Sequence, residues 1–315
     1  MLRHKPIDAV TIAGGGLTAE IVSMGASLRS LQLEGVPFSL VLGYPDIESY
    51  RENTQFLGAI CGRFANRISN GTFTLDGRTF ELDRNDGAHT LHGGRTGTWA
   101  RSWQIVARSP NSVTLNIIDR GEETGFPGDC LISATYAIPE PGVLDIVISS
   151  RCDQPTPCSL APHPYFNLDD SGDIRGHEVR VDAARYLPVD RDLIPSGEIA
   201  SVEGTPFDLR EWRKMDNLEQ GYDHHFCTGF DRFPLRRVAE ARSPVSGISM
   251  MVETTEPGLQ FYTGHGLVAP FEPFSGFCLE PHIWPDAPNR GDFPDCVFRP
   301  GQELIQRTRY TFTRY

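Results

Sequence analysis

The sequence lacks the long apolar segments that mark membrane and secreted proteins. No run among its 315 residues approaches the roughly 20 apolar residues that a membrane-spanning helix requires. The first residues, MLRHKPIDAV, lack the apolar core of a secretory signal. These two features predict a cytoplasmic protein with no membrane partner.

Cysteine is scarce and irregularly spaced. The seven cysteines stand at positions 61, 130, 152, 158, 227, 278 and 296, and no two of them form a CxxC pair. This spacing indicates neither a disulfide framework nor a thiolate zinc site. We therefore expect the cysteines to be reduced and structural.

Positive charge is also in short supply. The chain has 29 Lys and Arg residues against 41 Asp and Glu residues, which gives a formal net charge of −12. Because proteins that bind nucleic acid hold its phosphates with clustered Lys and Arg, nucleic acid is not an expected partner. A neutral small molecule suits this charge better than a strongly anionic one.

The chain is rich in alternating, strand-like segments. In TFTLDGRTFEL (72–82) two alternating stretches flank Asp76-Gly77, which is a strong signal for a two-residue hairpin turn. Further candidate strands cover 112–119, 131–138, 143–150, 247–255 and the C-terminal RYTFTRY. Helical candidates are few and short, such as 208–215.

This pattern predicts an all-β fold. The 24 prolines and 31 glycines are spread along the chain, so no stretch stands out as a linker. We expect residues 1–315 to form one domain, a single large antiparallel β-sandwich with few short helices. The chemistry of such a fold lies in loops or on an open sheet face.

Two glycine-bounded loops carry candidate binding residues. In GRFANRISNG, Arg63, Asn66 and Arg67 precede the hairpin and either face a ligand or form surface ion pairs. In HTLHGGRTGTW, His92 precedes two glycines that permit close backbone approach, although a solvated loop would look the same. The GxG patterns precede no helix, so a phosphate or dinucleotide cradle is not predicted.

Two other segments carry candidates for proton transfer. His163 lies between two prolines, and such a stiff backbone suits either a fixed proton donor or a structural histidine. Glu280 lies in the apolar run GFCLE, either as a general base or as an outward-facing strand residue. In GYDHHF, His224 and His225 would point to opposite faces of a strand, and no HExxH motif is present, so no metal site is predicted.

A series of sequence blocks follows a familiar order over nearly the full length. The blocks are SMGASLRSLQLEG, LGYPDIESY, GAICGRFANRISNGTFTLDG, LHGG, PHPYFNL, YLPVDRDLIPSGEIASVEGTPFDLR, GYDHHF, PGLQFYTG and LEPHIWPDAPN. Together they resemble the aldose 1-epimerases, also called the galactose mutarotase family. The resemblance implies a supersandwich whose concave face holds a sugar, with no cofactor and no metal.

The resemblance also implies an activity, the interconversion of the α and β anomers of a free hexose or pentose. Glu280 is implied as the base that takes the proton of the C1 hydroxyl, and His163 as the acid that protonates the ring oxygen. The ring opens, C1 rotates about the C1–C2 bond, and the ring closes again. We expect His163 to have a pKa near or above the working pH.

The implied sugar-binding residues are Asn66, Arg67, His92, Asp223 and Gln260. Arg67 and His92 would stabilise oxygens on which charge develops, and the others would orient hydroxyl groups. An aromatic ring at Phe166, Tyr262 or Trp284 either stacks on the sugar or belongs to the core.

Two departures from the family pattern leave the sugar open. Ala161, followed by Pro162, stands where the family usually has Asn, and His282 stands where it usually has Gln, so both are expected to alter the pocket rim. A non-catalytic sugar-binding or sugar-sensing protein remains an alternative, as does an enzyme for a phosphorylated sugar or a sugar lactone. A metal-dependent enzyme using several of the nine histidines is a third. The expected partner is a small-molecule sugar, and the chain is expected to be a monomer or a homodimer.

Overall fold

Antiparallel strands make up most of the regular structure in the computed structural model, which describes residues 6–216, 218 and 221–315. One four-residue α-helix, α1 (Gly121–Thr124), is accompanied by short 3-10 helices at Ile47–Glu52, Ser69–Gly71, Thr98–Ala100 and Ala287–Asn289. No helix within the described ranges is long and apolar enough to cross a membrane. The predicted all-β class is confirmed.

The strands of the first half of the chain are β1 (Ala9–Gly14), β2 (Leu17–Val22), β3 (Ser27–Leu33), β4 (Ile60–Cys61), β5 (Arg67–Ile68), β6 (Thr72–Leu75), β7 (Arg78–Glu81), β8 (Thr90–Leu91), β9 (Gln104–Ser109), β10 (Ser112–Asp119), β11 (Cys130–Ala137) and β12 (Val143–Cys152). Those of the second half are β13 (Thr156–Pro157), β14 (Ala161–Pro162), β15 (Glu178–Val181), β16 (Arg185–Leu187), β17 (Ala200–Ser201), β18 (Arg213–Lys214), β19 (Asp223–Cys227), β20 (Arg236–Ser243), β21 (Ile248–Thr254), β22 (Gly258–Tyr262), β23 (Cys278–Pro281), β24 (Val297–Phe298) and β25 (Leu304–Arg314).

Two sheets form the body of the sandwich. The larger has nine strands in the order β18-β15-β20-β21-β25-β12-β11-β10-β9, and the smaller has five in the order β17-β16-β19-β22-β23. A three-stranded sheet, β1-β2-β3, adds to the same core. The C-terminal strand β25 pairs with both β12 and β21 in the middle of the large sheet.

Alternation along the small sheet decides which side chains face the core. Phe261 and Leu279 are fully buried in the main hydrophobic cluster, and the Tyr310 hydroxyl of β25 contacts the Leu279 carbonyl at 3.4 Å. Because successive strand residues point to opposite faces, the adjacent Gln260 and Glu280 point away from that core. The small sheet therefore presents apolar residues to the large sheet and polar residues on its other face.

The predicted hairpin is confirmed. Strands β6 and β7 pair from Thr72 with Glu81 to Leu75 with Arg78, which leaves Asp76-Gly77 as the turn. Both turn residues have positive φ, 48° and 78°, as a type I′ turn requires. The strand predicted at 112–119 coincides with β10, and the other predicted strands agree within a few residues at their ends.

The helix predicted over 208–215 is wrong. Residues 213–214 form β18, which pairs with β15 at the edge of the large sheet. The Trp212 ring lies between the guanidinium groups of Arg180 and Arg242, at 4.9 and 4.2 Å from the ring centroid. These contacts with the sheet face outweigh the weak local helical preference of the segment.

The prediction that all cysteines are reduced is also wrong. Cys130 and Cys152 form a disulfide between β11 and β12, where they are direct partners in the strand register. Their separation of 22 residues shows no such pairing in the sequence, because the register of two long strands brings them together. The other five cysteines are free and buried.

Candidate active site

A cavity of about 200 Å³ opens on the polar face of the small sheet. It is smaller than the roughly 300 to 1,000 Å³ of sites for drug-sized ligands, so it suits a compact molecule. The structure brings every predicted site residue to its wall: Asn66, Arg67, His92, His163, Asp223, Gln260 and Glu280.

The small sheet positions three of these side chains by register. Gln260 of β22 pairs with Glu280 of β23, and Asp223 of β19 lies opposite Tyr262 of β22. The Gln260 amide donates to the Asp223 carboxylate at 2.6 Å, which fixes the orientation of both groups. Because all three side chains share one face of the sheet, they converge although 57 residues of sequence separate Asp223 from Glu280.

His163 reaches the cavity from a segment outside the small sheet. It follows the short strand β14, which pairs with β4, and its backbone N–H donates to the Ala59 carbonyl at 2.9 Å. The His163 carbonyl accepts from the Gly58 N–H at 3.0 Å. These bonds and the flanking prolines hold the imidazole so that its Nε2 lies 3.4 Å from Oε2 of Glu280.

Burial governs the proton affinity of this carboxyl–imidazole pair. Burial raises the pKa of Glu280 well above its ordinary value, and the neighbouring Asp223 charge acts in the same direction. Burial lowers the pKa of His163 to about 4. The expectation of a His163 pKa near or above the working pH is therefore wrong, because loss of hydration is the largest influence on the buried ring.

The pair nevertheless keeps one proton to exchange. A protonated Glu280 beside a neutral His163 carries the same net charge as a carboxylate beside an imidazolium. The two forms differ only in which group holds the proton, and Nε2 and Oε2 lie 3.4 Å apart without a hydrogen bond between them. The shifts in pKa favour the neutral form in the protein by itself.

His92 is a fixed hydrogen-bond donor. Its Nδ1 accepts from the backbone N–H of Asn66 at 3.1 Å, so the neutral ring carries its hydrogen on Nε2. Burial holds the pKa of His92 well below its ordinary value, which keeps the ring neutral. The ring meets that of His163 edge to face, with centroids 5.3 Å apart.

The glycine after His92 permits the close approach that the sequence predicted. Gly93 has a φ of +83°, and a Cβ at this position would clash with the Gly62 carbonyl. The two loops that carry Asn66 and His92 can therefore lie against each other.

Arg67 links the cavity to its rim. Its Nε donates to Asp86 at 2.7 Å, and its guanidinium lies 4.0 Å from the Asp223 carboxylate. The Asn66 side-chain oxygen accepts from the Arg67 backbone N–H at 2.8 Å, with Asn66 in the left-handed region at a φ of +65°. This local bond holds the strained turn that directs both residues into the site.

Arg63, the third candidate of the same loop, does not line the cavity. Its side chain is fully buried and donates to the Asp119 carboxylate at 2.6 Å. It also reaches the carbonyls of Asp119, Pro127 and Gly128 and the Thr156 hydroxyl. Both earlier interpretations of Arg63 are wrong, since it neither binds at the cavity nor pairs on the surface.

A second pair of histidines lies behind the cavity. The rings of His225 and His282 are 4.8 Å apart, and a Cβ on Gly258 between them would clash with the His225 ring. The Gln260 side chain lies beside the His225 ring from the neighbouring strand, whereas Nε2 of His282 lacks a hydrogen-bond partner among the described residues. Burial lowers the pKa of His282 to about 4 and that of His225 well below its ordinary value.

The two departures from the family pattern do not alter the cavity rim as expected. His282 and Ala161 are both fully buried, and neither lines the cavity. His224, the neighbour of His225, packs instead against Phe207 with ring centroids 4.3 Å apart. The two adjacent histidines thus contact different surroundings, as predicted for a strand.

Sequence reasoning missed part of the cavity mouth. Its unpredicted lining residues are Thr54, Gln55, Phe56, Leu91, Tyr165, Gly266 and Leu267. Phe56 packs on His92 with ring centroids 4.6 Å apart. Its φ of +59° is rare for a bulky residue, and the sequence does not predict it. Of the three candidate aromatic residues, Tyr262 lines the cavity, whereas Phe166 and Trp284 are fully buried in core clusters.

The site can also be tested for metal binding. Ligand atoms of His92, His163 and Glu280 lie within 4.8 Å of one another. However, Nδ1 of His92 accepts the Asn66 N–H, which leaves the hydrogen on the other ring nitrogen and removes its lone pair as a ligand. The arrangement therefore suits hydrogen bonding to hydroxyl groups better than coordination of a cation.

The fold and the site define a class, that of large β-sandwich proteins with a buried carboxyl–imidazole pair in a small polar cavity. The model of the aldose 1-epimerase family matches residues 8–311. The chain belongs to that family, and the predicted isomerase class and mutarotase activity are confirmed.

Relatives from distant organisms match over nearly the full length. The chain is 38% identical to the galactose mutarotase of Bos taurus, over 98% of this chain and 94% of that protein. It is 34% identical to the aldose 1-epimerase of Escherichia coli (strain K12), over 98% and 96% of the two chains. The solved structure of a GalM/aldose epimerase homologue from C. elegans superposes with a TM-score of 0.93 at 30% identity, covering 98% and 99% of the two chains.

Proposed function

We propose that this mutarotase opens and closes the ring of a free hexose or pentose with Glu280 as the base and His163 as the acid. The observation that carries the proposal is the buried pair itself, with Nε2 and Oε2 3.4 Å apart in a cavity walled by polar groups. The hemiacetal carbon C1 of an aldose carries both a hydroxyl group and the ring oxygen, so a close acid–base pair matches it.

The reaction begins from the ion-pair form of the two residues. The Glu280 carboxylate takes the proton of the C1 hydroxyl while His163 gives a proton to the ring oxygen. The bond from C1 to the ring oxygen breaks and C1 becomes a carbonyl. Glu280 is then protonated and His163 neutral, which is the form that burial favours.

Ring closure reverses each transfer after C1 has rotated about the C1–C2 bond. Attack on the other carbonyl face gives the other anomer, and the ion-pair form of the two residues returns. Because the open-chain sugar coincides with the favoured neutral pair, the dry environment stabilises the intermediate stage. Proton transfer of this kind contributes about 10² to 10⁴ in rate.

The remaining polar residues hold the sugar. His92 supplies a fixed N–H donor and Arg67 a guanidinium near the oxygens on which charge develops. Asn66, Asp223 and Gln260 are proposed to orient hydroxyl groups. Gln260 supports this role because its amide is held in place by the Asp223 carboxylate at the cavity wall.

Galactose is the first substrate to test, since several relatives are galactose mutarotases. His282 and Ala161 lie behind the cavity wall, so their departures from the family pattern do not argue against a hexose. The Asp223 carboxylate in the cavity disfavours a phosphorylated sugar. A sugar-sensing role is disfavoured because both members of the proton-transfer pair are present.

Other properties stay predictions. One hydrophobic cluster extends from Ile12 to Phe312, which supports a single domain over 1–315. A cytoplasmic location, a monomeric or homodimeric state and the lack of a nucleic-acid partner follow from composition and resemblance alone.

Polarimetry and exchange NMR on freshly dissolved galactose, glucose, xylose and arabinose test the proposal. We expect wild type to equilibrate at least one of these sugars, and Glu280→Gln and His163→Asn to lose that activity. Glu303→Gln, at an exposed ion pair with Arg151, is the matched control. If both active-site variants match wild type on an accepted sugar, the assigned acid and base are wrong.

A further inference from the structure

A free thiol lies directly behind the imidazole of His163. Sγ of Cys278 is 3.5 Å from Nδ1 of His163, and both residues are buried. Cys278 begins β23, two residues before Glu280, so its side chain lies on the same face of the strand as the proposed base. One strand thus contacts both nitrogens of the imidazole, with a sulfur at Nδ1 and a carboxyl group at Nε2.

The proton exchange between Glu280 and His163 places a condition on the other ring nitrogen. In the imidazolium both nitrogens carry hydrogen. In the neutral ring that accepts the Glu280 proton on Nε2, the hydrogen must stand on Nδ1. Nδ1 therefore has to keep its hydrogen through both forms, and it needs an acceptor throughout.

We propose that Cys278 is a positioning residue whose sulfur accepts the Nδ1–H of His163, so that Nε2 remains the nitrogen that exchanges a proton with Glu280. The inference rests on the proposed function, because it assigns a task to the ring that acts as acid. The sulfur touches no reacting atom and acts only through the imidazole.

The charge state of the sulfur supports its role as an acceptor at this position. Burial raises the pKa of the Cys278 thiol well above its ordinary value, so the sulfur stays an uncharged thiol. An uncharged sulfur is a weak acceptor that orients the ring without drawing the proton away from Nε2.

The test compares Cys278→Ala, Cys278→Ser and Cys61→Ala in the full-length protein. Cys61 is the matched control, since it is equally buried in the facing strand β4 and the hydrogen bonds described for His163 do not include it. Loss of one weak hydrogen bond is expected to lower kcat of Cys278→Ala by about 5- to 10-fold with a smaller change in KM. Cys278→Ser keeps an acceptor and should lose less, and Cys61→Ala should stay near wild type.

A second readout separates positioning from packing. Long-range ¹H–¹⁵N NMR of protein labelled in histidine reports which nitrogen of His163 carries hydrogen. We expect a protonated Nδ1 in wild type and Cys61→Ala, and a shift of the hydrogen toward Nε2 in Cys278→Ala alone. Thermal unfolding of each variant shows whether the fold is intact.

Equal rates and equal tautomers in Cys278→Ala and Cys61→Ala would overturn the proposal. Retention of full activity by His163→Asn would overturn the assignment of the acid instead, and the NMR comparison would still decide whether Cys278 sets the tautomer.

Discussion

Two clusters of buried polar groups differ in how well their hydrogen bonds are satisfied. Arg63 and Asp119 are fully buried, and the Arg63 side chain makes five hydrogen bonds to carboxylate, hydroxyl and carbonyl oxygens. At the cavity, Oε2 of Glu280 is also buried but makes no hydrogen bond among the described residues. The difference separates a structural ion pair from a site prepared for a ligand.

The comparison shows why burial alone does not identify function. A buried charge is tolerated either when the fold satisfies it or when its proton affinity shifts. The fold satisfies the charge of Arg63 with hydrogen bonds. The carboxyl group of Glu280 instead has a pKa raised well above its ordinary value. Unsatisfied polar atoms gathered at one cavity therefore point to chemistry more directly than charge or burial does.

The largest expected effect is a loss of activity on substitution of Glu280 at the cavity. Glu280→Gln keeps the shape of the side chain but removes the proton-transfer group, so polarimetry should show a rate loss of about 10² to 10⁴. Its free energy of unfolding should stay equal to that of wild type or rise, since no buried acid remains to be ionised. A large loss of stability with activity retained per folded molecule would make Glu280 a structural residue.

The next largest effect is expected at the buried Arg63–Asp119 pair, where a substitution should lower stability. Arg63→Met leaves Asp119 buried with only Arg101, at 3.0 Å, as a charged partner. We expect a loss of about 3 kcal/mol in the free energy of unfolding, measured in urea. Activity per folded molecule should change little.

Arg151→Met is the control for that experiment. Arg151 pairs with Glu303 at 2.9 Å on the surface, where its side chain is 69% exposed. Its loss should cost far less than that of Arg63, because an exposed ion pair is screened by solvent. Similar costs for the two arginine variants would contradict the contrast between a buried and an exposed pair.

A smaller effect is expected from the histidine pair behind the cavity. Because burial lowers the folded pKa of His282 to about 4, the unfolded chain binds a proton between pH 6.5 and 4 that the folded chain does not. The free energy of unfolding should therefore fall as the pH falls through this window, by about 2 kcal/mol between pH 7 and pH 5 for this one group.

His282→Gln tests that dependence. Urea unfolding at the two pH values should show a shallower decline for the variant than for wild type, because glutamine does not titrate. Equal declines would mean that His282 does not bind its proton differently in the two states.

Local signals predicted the strands and their turns well. The Asp76-Gly77 turn and the alternation of β10 depend only on neighbouring residues, and both are confirmed. The segment 208–215 failed because the partners of Trp212 lie on β15 and β20, distant in sequence. Long-range packing of this kind produces no periodic pattern in the sequence.

The sequence predicted which residues line the site better than it predicted their pKa values and charge partners. Ordered blocks placed seven residues at one cavity, and all seven line it. The sequence did not show that the Arg63 side chain is buried against Asp119. It also did not show that burial lowers the pKa of His163 to about 4. Both depend on what surrounds a side chain in three dimensions, as does the disulfide between Cys130 and Cys152.

A double-mutant cycle on Glu280→Gln and His163→Asn is the most direct test that these two residues act as one proton-sharing unit. We predict that the double variant is no more than about threefold slower than the slower single variant, since either change alone removes the exchange. Losses that multiply, so that each residue contributes independently of the other, would contradict the account.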